Sequence, residues 1–119
     1  MTIDDLIRIA SERSPRLDEI EAAAGNAQLT VVRLYDAFAK RVATRYLRGD
    51  LSYTDGDAAM NSLFGYAYPG GGPEFDHLAW QVYCAFDQGE YLHVGEPVES
   101  QGEAKTRELL ANIAELTDA

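Results

Sequence analysis

From Gln28 to Arg48 the apolar side chains Val32, Tyr35, Phe38, Ala39, Val42 and Tyr46 recur at steps of three and four residues. A strand would need alternation at every second position. A register held over several turns is satisfied by an α-helix that buries one face. Val31-Val32 alone suggests a strand, but the longer register outweighs two β-branched residues. Arg41, Arg45 and Arg48 load the C-terminal end of this helix, where cations suit the helix dipole, and Gly49 closes it.

Around this helix the chain punctuates itself into others. Thr2, with Asp5 three residues on, predicts a capped first helix carrying Ile3, Leu6, Ile7 and Ala10 on one face. Ser14-Pro15 reads as a cap followed by proline at the first position of a second helix, with Leu17, Ile20 and Ala24 inward and Gly25 as its stop. Asp18, Glu19 and Glu21 sit near that helix's positive end. A fourth helix is expected from about Ser52 to Tyr66, with Ala59, Met60, Leu63 and Phe64 inward. A loop follows at Pro69–Pro73. A fifth helix is expected from about Glu74 to Gln88, ended by Gly89. Gln81 is its one strongly polar residue between Leu78 and Phe86, which places this helix centrally. Tyr91–Val94, between two glycines, reads as extended. Ser100 and Glu103 match a capping box before a last helix carrying Leu109, Leu110, Ile113 and Leu116. With 46% hydrophobic and 25% charged residues in 119, the expectation is an all-α, compact single-domain bundle of five to six helices spanning residues 1–119.

Charge is distributed far less evenly than hydrophobicity. No lysine or arginine occurs from Gly49 to Ala104, a stretch of 56 residues that holds ten carboxylates. The flanks are nearly neutral, so the whole formal charge of −10 sits in the middle. Such a chain is a poor ligand for nucleic acid or anionic membrane, both of which require clustered cations. No apolar run reaches the roughly 20 residues that span a bilayer. Asp4, Asp5 and Arg8 interrupt any apolar leader, and one cysteine excludes an internal disulfide framework, so a cytoplasmic setting is expected.

The side chains that carry chemistry do not assemble into a reaction centre. Glu90 and His93 have the Glu-x-x-His spacing of di-metal bundles, but such sites need two pairs and two further glutamates. The only other histidine is His77. Cys84 lies among Val82, Tyr83, Ala85 and Phe86, two helical turns from His77, and reads as a small buried core residue rather than a nucleophile. Asp50 to Asp57 fails as a calcium loop: Asp55 falls where the invariant glycine belongs and Asn61 where the bidentate glutamate belongs. The glycine run lacks the Gly-Lys-Ser/Thr of a phosphate cradle. Asp36, within the third helix, reads as a boundary residue bonded to a tyrosine or an arginine. No enzyme activity, metal or cofactor is expected.

A one-signed surface forgoes local ion pairs and accepts self-repulsion. That arrangement suits a basic partner, because opposite potentials steer encounter and reject wrong partners. The expected partner-binding residues are Asp50, Asp55, Asp57, Tyr66, Tyr68, Glu74, Asp76, Asp87, Glu90, Glu96 and Glu99, the two tyrosines flanking the glycine loop. Tyr-Leu-Arg-Gly-Asp-Leu-Ser-Tyr (46–53), Met-Asn-Ser-Leu-Phe (60–64) and Ala-Phe-Asp-Gln-Gly-Glu-Tyr (85–91) resemble phrases of small helical bacterial immunity proteins of toxin systems, over about the middle half of the chain. That resemblance implies an inhibitor that neutralises a basic protein, a toxin nuclease among the candidates, and it carries over no catalytic residue. The alternative expectation is a structural or homo-oligomeric helical module, with Trp80, Tyr83 and Phe86 buried against a second copy.

Overall fold

The computed structural model describes residues 1–67, 77–93 and 99–113, with the side chains of 77, 90–93 and 99–102 excepted. Among the described residues the chain forms α1 (Ile3–Glu12), α2 (Leu17–Ala27), α3 (Val31–Arg48), α4 (Tyr53–Ala67), α5 (His77–His93) and α6 (Glu99–Ala111), with no strand. The all-α bundle expected from periodicity is the observed architecture. The Pro69–Pro73 loop and Leu116 lie outside the described residues.

Helix α3 is the hub, touching α1, α2, α4 and α5, while α5 touches α3, α4 and α6. Leu34, Tyr35, Phe38, Ala39, Val42, Ala43 and Tyr46 are buried along α3, and Leu6, Ile20, Met60, Leu63, Phe86 and Leu110 meet them in one hydrophobic cluster. Tyr46, Tyr53 and Phe86 pack edge-on and tilted, with centroids 5.4–6.2 Å apart. Each such pair adds about 0.5–1.5 kcal/mol beyond the burial of its area. Gly56 lets α4 approach α5 here, since a Cβ at this position would lie 2.9 Å from Phe86 Cζ.

The termini of α1 and α3 follow the expected chemistry. Thr2 Oγ1 accepts from the Asp5 amide and Asp5 Oδ2 accepts from the Thr2 amide, both at 3.0 Å. Gly49 takes the left-handed conformation at φ 85° and ends α3. That helix starts at Val31 rather than Gln28, because the Thr30 hydroxyl caps the Arg33 amide.

Other boundaries differ from expectation. Helix α2 begins at Leu17 behind an Arg16 N-cap, not at Pro15. Glu19 sets this start: it accepts the Arg16 amide at 2.9 Å while Arg13 grips both its oxygens at 2.9 and 2.6 Å. Leu17 is therefore turned outward and is 60% exposed. Gly25 lies within α2, and Gln28 at φ 58° closes the helix instead, its amide and that of Leu29 satisfying the last carbonyls. Gly89 does not stop α5, which continues to His93, so Tyr91, Leu92 and His93 are helical, not extended. Gly89 is buried, and the helical cost of a glycine is only about 1 kcal/mol. Ser100 lies inside α6, not at its cap, and Glu103 accepts from the Tyr46 hydroxyl at 3.1 Å.

Candidate functional site

Among the described residues, two concave surfaces differ in kind. The first is a cleft of about 550 Å³ where α1, the end of α3 and the start of α4 converge. Its walls carry Asp4, Asp5 and Arg8 from α1, Arg41 and Arg45 from α3, and Asp50 and Asp55 from the α3–α4 turn and the first turn of α4. The Arg41 guanidinium grips Asp4 through Nε and Nη2, both at 2.9 Å, and Arg45 adds a contact at 3.4 Å. The Arg41 hydrogen bonds foremost hold the Asp4 carboxyl below the usual range. Arg41 and Arg45 are thus engaged by Asp4, while Arg8, the third cation of the cleft, lies 3.8 Å from Asp5 and is largely exposed. Asp50 and Asp55 are exposed, and neither carboxylate makes a hydrogen bond or ion pair among the described residues.

The second surface is a groove of about 460 Å³ between α5 and α6. Trp80, Cys84 and Gln88 line it from α5 at four-residue steps, Lys105 and Leu109 line it from α6 at the same step, and Ile113 lines it from just beyond the end of α6. Trp80 is 44% exposed, although α5 packs against three helices. Phe64 stacks on Tyr83 with centroids 4.2 Å apart, and Trp80 lies 6.0 Å from Phe64. Phe64, expected inward, is half-buried because it serves this stack. Cys84, expected in the core, is half-buried on the groove wall. Burial, and then the nearby Asp87 charge, push its thiol above the usual value, the reverse of what a nucleophile requires.

The expected partner-binding residues do not all share a surface. Asp50 and Asp55 meet in the charged cleft. Asp57, two residues further along α4, turns away and is half-buried. Tyr66 lies about 16 Å along α4 from Asp55, at 1.5 Å per residue. It is half-buried, and burial raises its hydroxyl pKa. Asp87 is exposed on α5, near the groove. Tyr68, Glu74, Asp76 and Glu96 lie outside the described residues, as do the side chains of Glu90 and Glu99.

Asp36 has a role that its sequence context does not disclose. Its Oδ1 accepts from the Ala79 amide at 2.9 Å, so a carboxylate of α3 caps the first turn of α5. The sequence context, which pointed to a tyrosine or an arginine beside Asp36, held no sign of this amide. The long-range pairing of Asp4 with Arg41 and the exposure of Trp80 also carry no sequence signal. Among the described residues no group of three or more metal-ligating side chains comes together. No described helix is long and apolar enough to cross a membrane. Comparison with protein-family models, with curated proteins and with solved structures gives no match.

Proposed function

We propose that this protein is a non-catalytic binding module that holds a basic protein partner, in the manner of an immunity protein neutralising a toxin in the cytoplasm. The observation that carries the reading is the placement of Asp50 and Asp55. They are two exposed carboxylates without ion pairs among the described residues, on one cleft, at the start of a 56-residue stretch without lysine or arginine. A cationic side chain entering the cleft would meet these two groups while Asp4 stays locked to Arg41. The complex should form quickly at low ionic strength and weaken steeply as salt screens it. Affinity capture from the source organism at two salt concentrations tests this. A basic protein retained at low salt and released at high salt supports the reading; a partner held equally at both removes it.

The exposure of Trp80 favours a second reading, a homo-oligomer joined through α5. Trp80→Ala should then dissociate the oligomer before it unfolds the protomer. Light scattering that finds monomer at high protein concentration would dispose of that reading.

A further inference from the structure

The groove between α5 and α6 is lined by Trp80, Cys84 and Gln88 at four-residue spacing along α5 and by Lys105 and Leu109 at the same spacing along α6, with Ile113 just past the end of α6. Two helices that present such rows leave between them the trough into which a third helix lays its own ridge. The trough is apolar at Trp80, Cys84, Leu109 and Ile113, and Lys105 is the one cation on its wall among the described residues. Exposed Asp87 lies near Cys84 on α5, and helical phase puts exposed Glu108, three residues beyond Lys105, beside the α6 row. An apolar floor between acidic flanks fits one kind of occupant. We propose that this groove docks the apolar edge of a basic amphipathic helix belonging to the partner, an inference that rests on the basic-partner reading and assigns the helix its seat.

Charge favours a basic helix over a second copy as the occupant, which sets this inference apart from the oligomer reading. Each chain carries −10, so two copies repel, and a second copy would bring further carboxylates to a face that already holds exposed Asp87 and Glu108. An amphipathic helix instead offers leucine-type side chains to Trp80 and Leu109 and lysine or arginine to the flanks. Trp80, large and half-exposed, has the character of an interface anchor.

The chain holds one tryptophan and one cysteine, and both lie on the groove, so occupancy can be read directly. The probe is a synthetic helical peptide of leucine and lysine with leucine at i, i+3, i+4 and i+7. Its controls are a shuffled leucine–lysine peptide of equal charge and a leucine–glutamate peptide with the original pattern. The expected result is a saturable blue shift of Trp80 emission and at least tenfold slower alkylation of Cys84 with the amphipathic cationic peptide alone. Gln88→Arg, at an exposed groove position, should weaken that peptide at least tenfold, and Arg33→Ala, on an exposed part of α3, should not. If both cationic peptides bind equally and leave Trp80 and Cys84 unchanged, the groove assignment is overturned while a basic partner still stands. Equal binding of the leucine–glutamate peptide overturns the charge argument for the occupant. If no peptide binds, the groove assignment falls, and the salt-dependent capture decides the wider reading separately.

Discussion

At the scale of single residues, glycines separate the positions where packing rules from those where local propensity rules. In α4 the same substitution should have opposite effects at two sites. Gly56→Ala places a methyl 2.9–3.0 Å from the Phe86 ring, which is itself fully buried against Tyr46 and Tyr53. Overpacking of this kind costs about 1–3 kcal/mol, more than the ~1 kcal/mol that alanine adds to a helix. Gly65 is exposed, with nothing within 4 Å of a Cβ, so Gly65→Ala should stabilise by up to about 1 kcal/mol. Denaturant melts of the two variants check the pair, and a stabilised Gly56→Ala would contradict the close contact.

Glu19 supplies a second test at this scale. The Arg13 hydrogen bonds, and then the Arg16 amide, lower its carboxyl from 4.5 to about 2. A carboxylate depressed on folding adds stability above its unfolded value and loses it as the pH falls toward its folded one. Glu19→Gln should therefore melt below the parent at pH 7, and the difference should shrink between pH 4.5 and about 2. A difference independent of pH would show that the ion pair is not the cause.

At the scale of elements, α5 is held at its start by another helix. Asp36→Ala removes the acceptor for the Ala79 amide and should cost about 0.5–2 kcal/mol, the range for a lost helix cap. Asp36→Asn, which keeps an oxygen acceptor, should recover most of that. Hydrogen exchange at the Ala79 amide distinguishes lost capping from general loosening, since only the former raises exchange at the first turn before the rest of α5. Further along, Tyr53 and Thr106 hydroxyls donate to the Phe86 and Ala85 carbonyls at 2.8 and 2.9 Å, tying α5 to α4 and α6.

These ties explain which elements were legible. Helix α3 was readable because its register, its arginine-loaded end and Gly49 all agree locally. The ends of α2, α5 and α6 were not, because long-range or side-chain contacts set them. Glu19 draws Arg13 and the Arg16 amide to itself, Asp36 caps α5 from a residue 43 positions away, and Glu103 turns to Tyr46. Gly25 and Gly89 misled because a glycine permits a helix stop without requiring one.

At the scale of the whole molecule, the separation of charge was plain in the sequence, but its three-dimensional meaning was not. Asp50 and Asp55 reach one cleft because the α3–α4 turn delivers both beside α1, whereas Asp57 and Tyr66 leave that surface through helical phase and axial distance. The groove at Trp80 was hidden for a related reason. An apolar helix reads as enclosed, and only the packing of α5 on α3, α4 and α6 shows which face stays open.

The Asp50 and Asp55 rim of the charged cleft is the part of the binding account most open to direct measurement. The decisive quantity is the association rate of the captured basic partner with the parent protein and with Asp50→Asn/Asp55→Asn, followed across ionic strength. Both positions are exposed, so folding should be preserved, as circular dichroism would verify. The expected result is at least a fivefold slower association for the double variant at low salt, converging with the parent as salt rises. Equal rates for the two proteins at every ionic strength would contradict the assignment of these carboxylates to partner recognition.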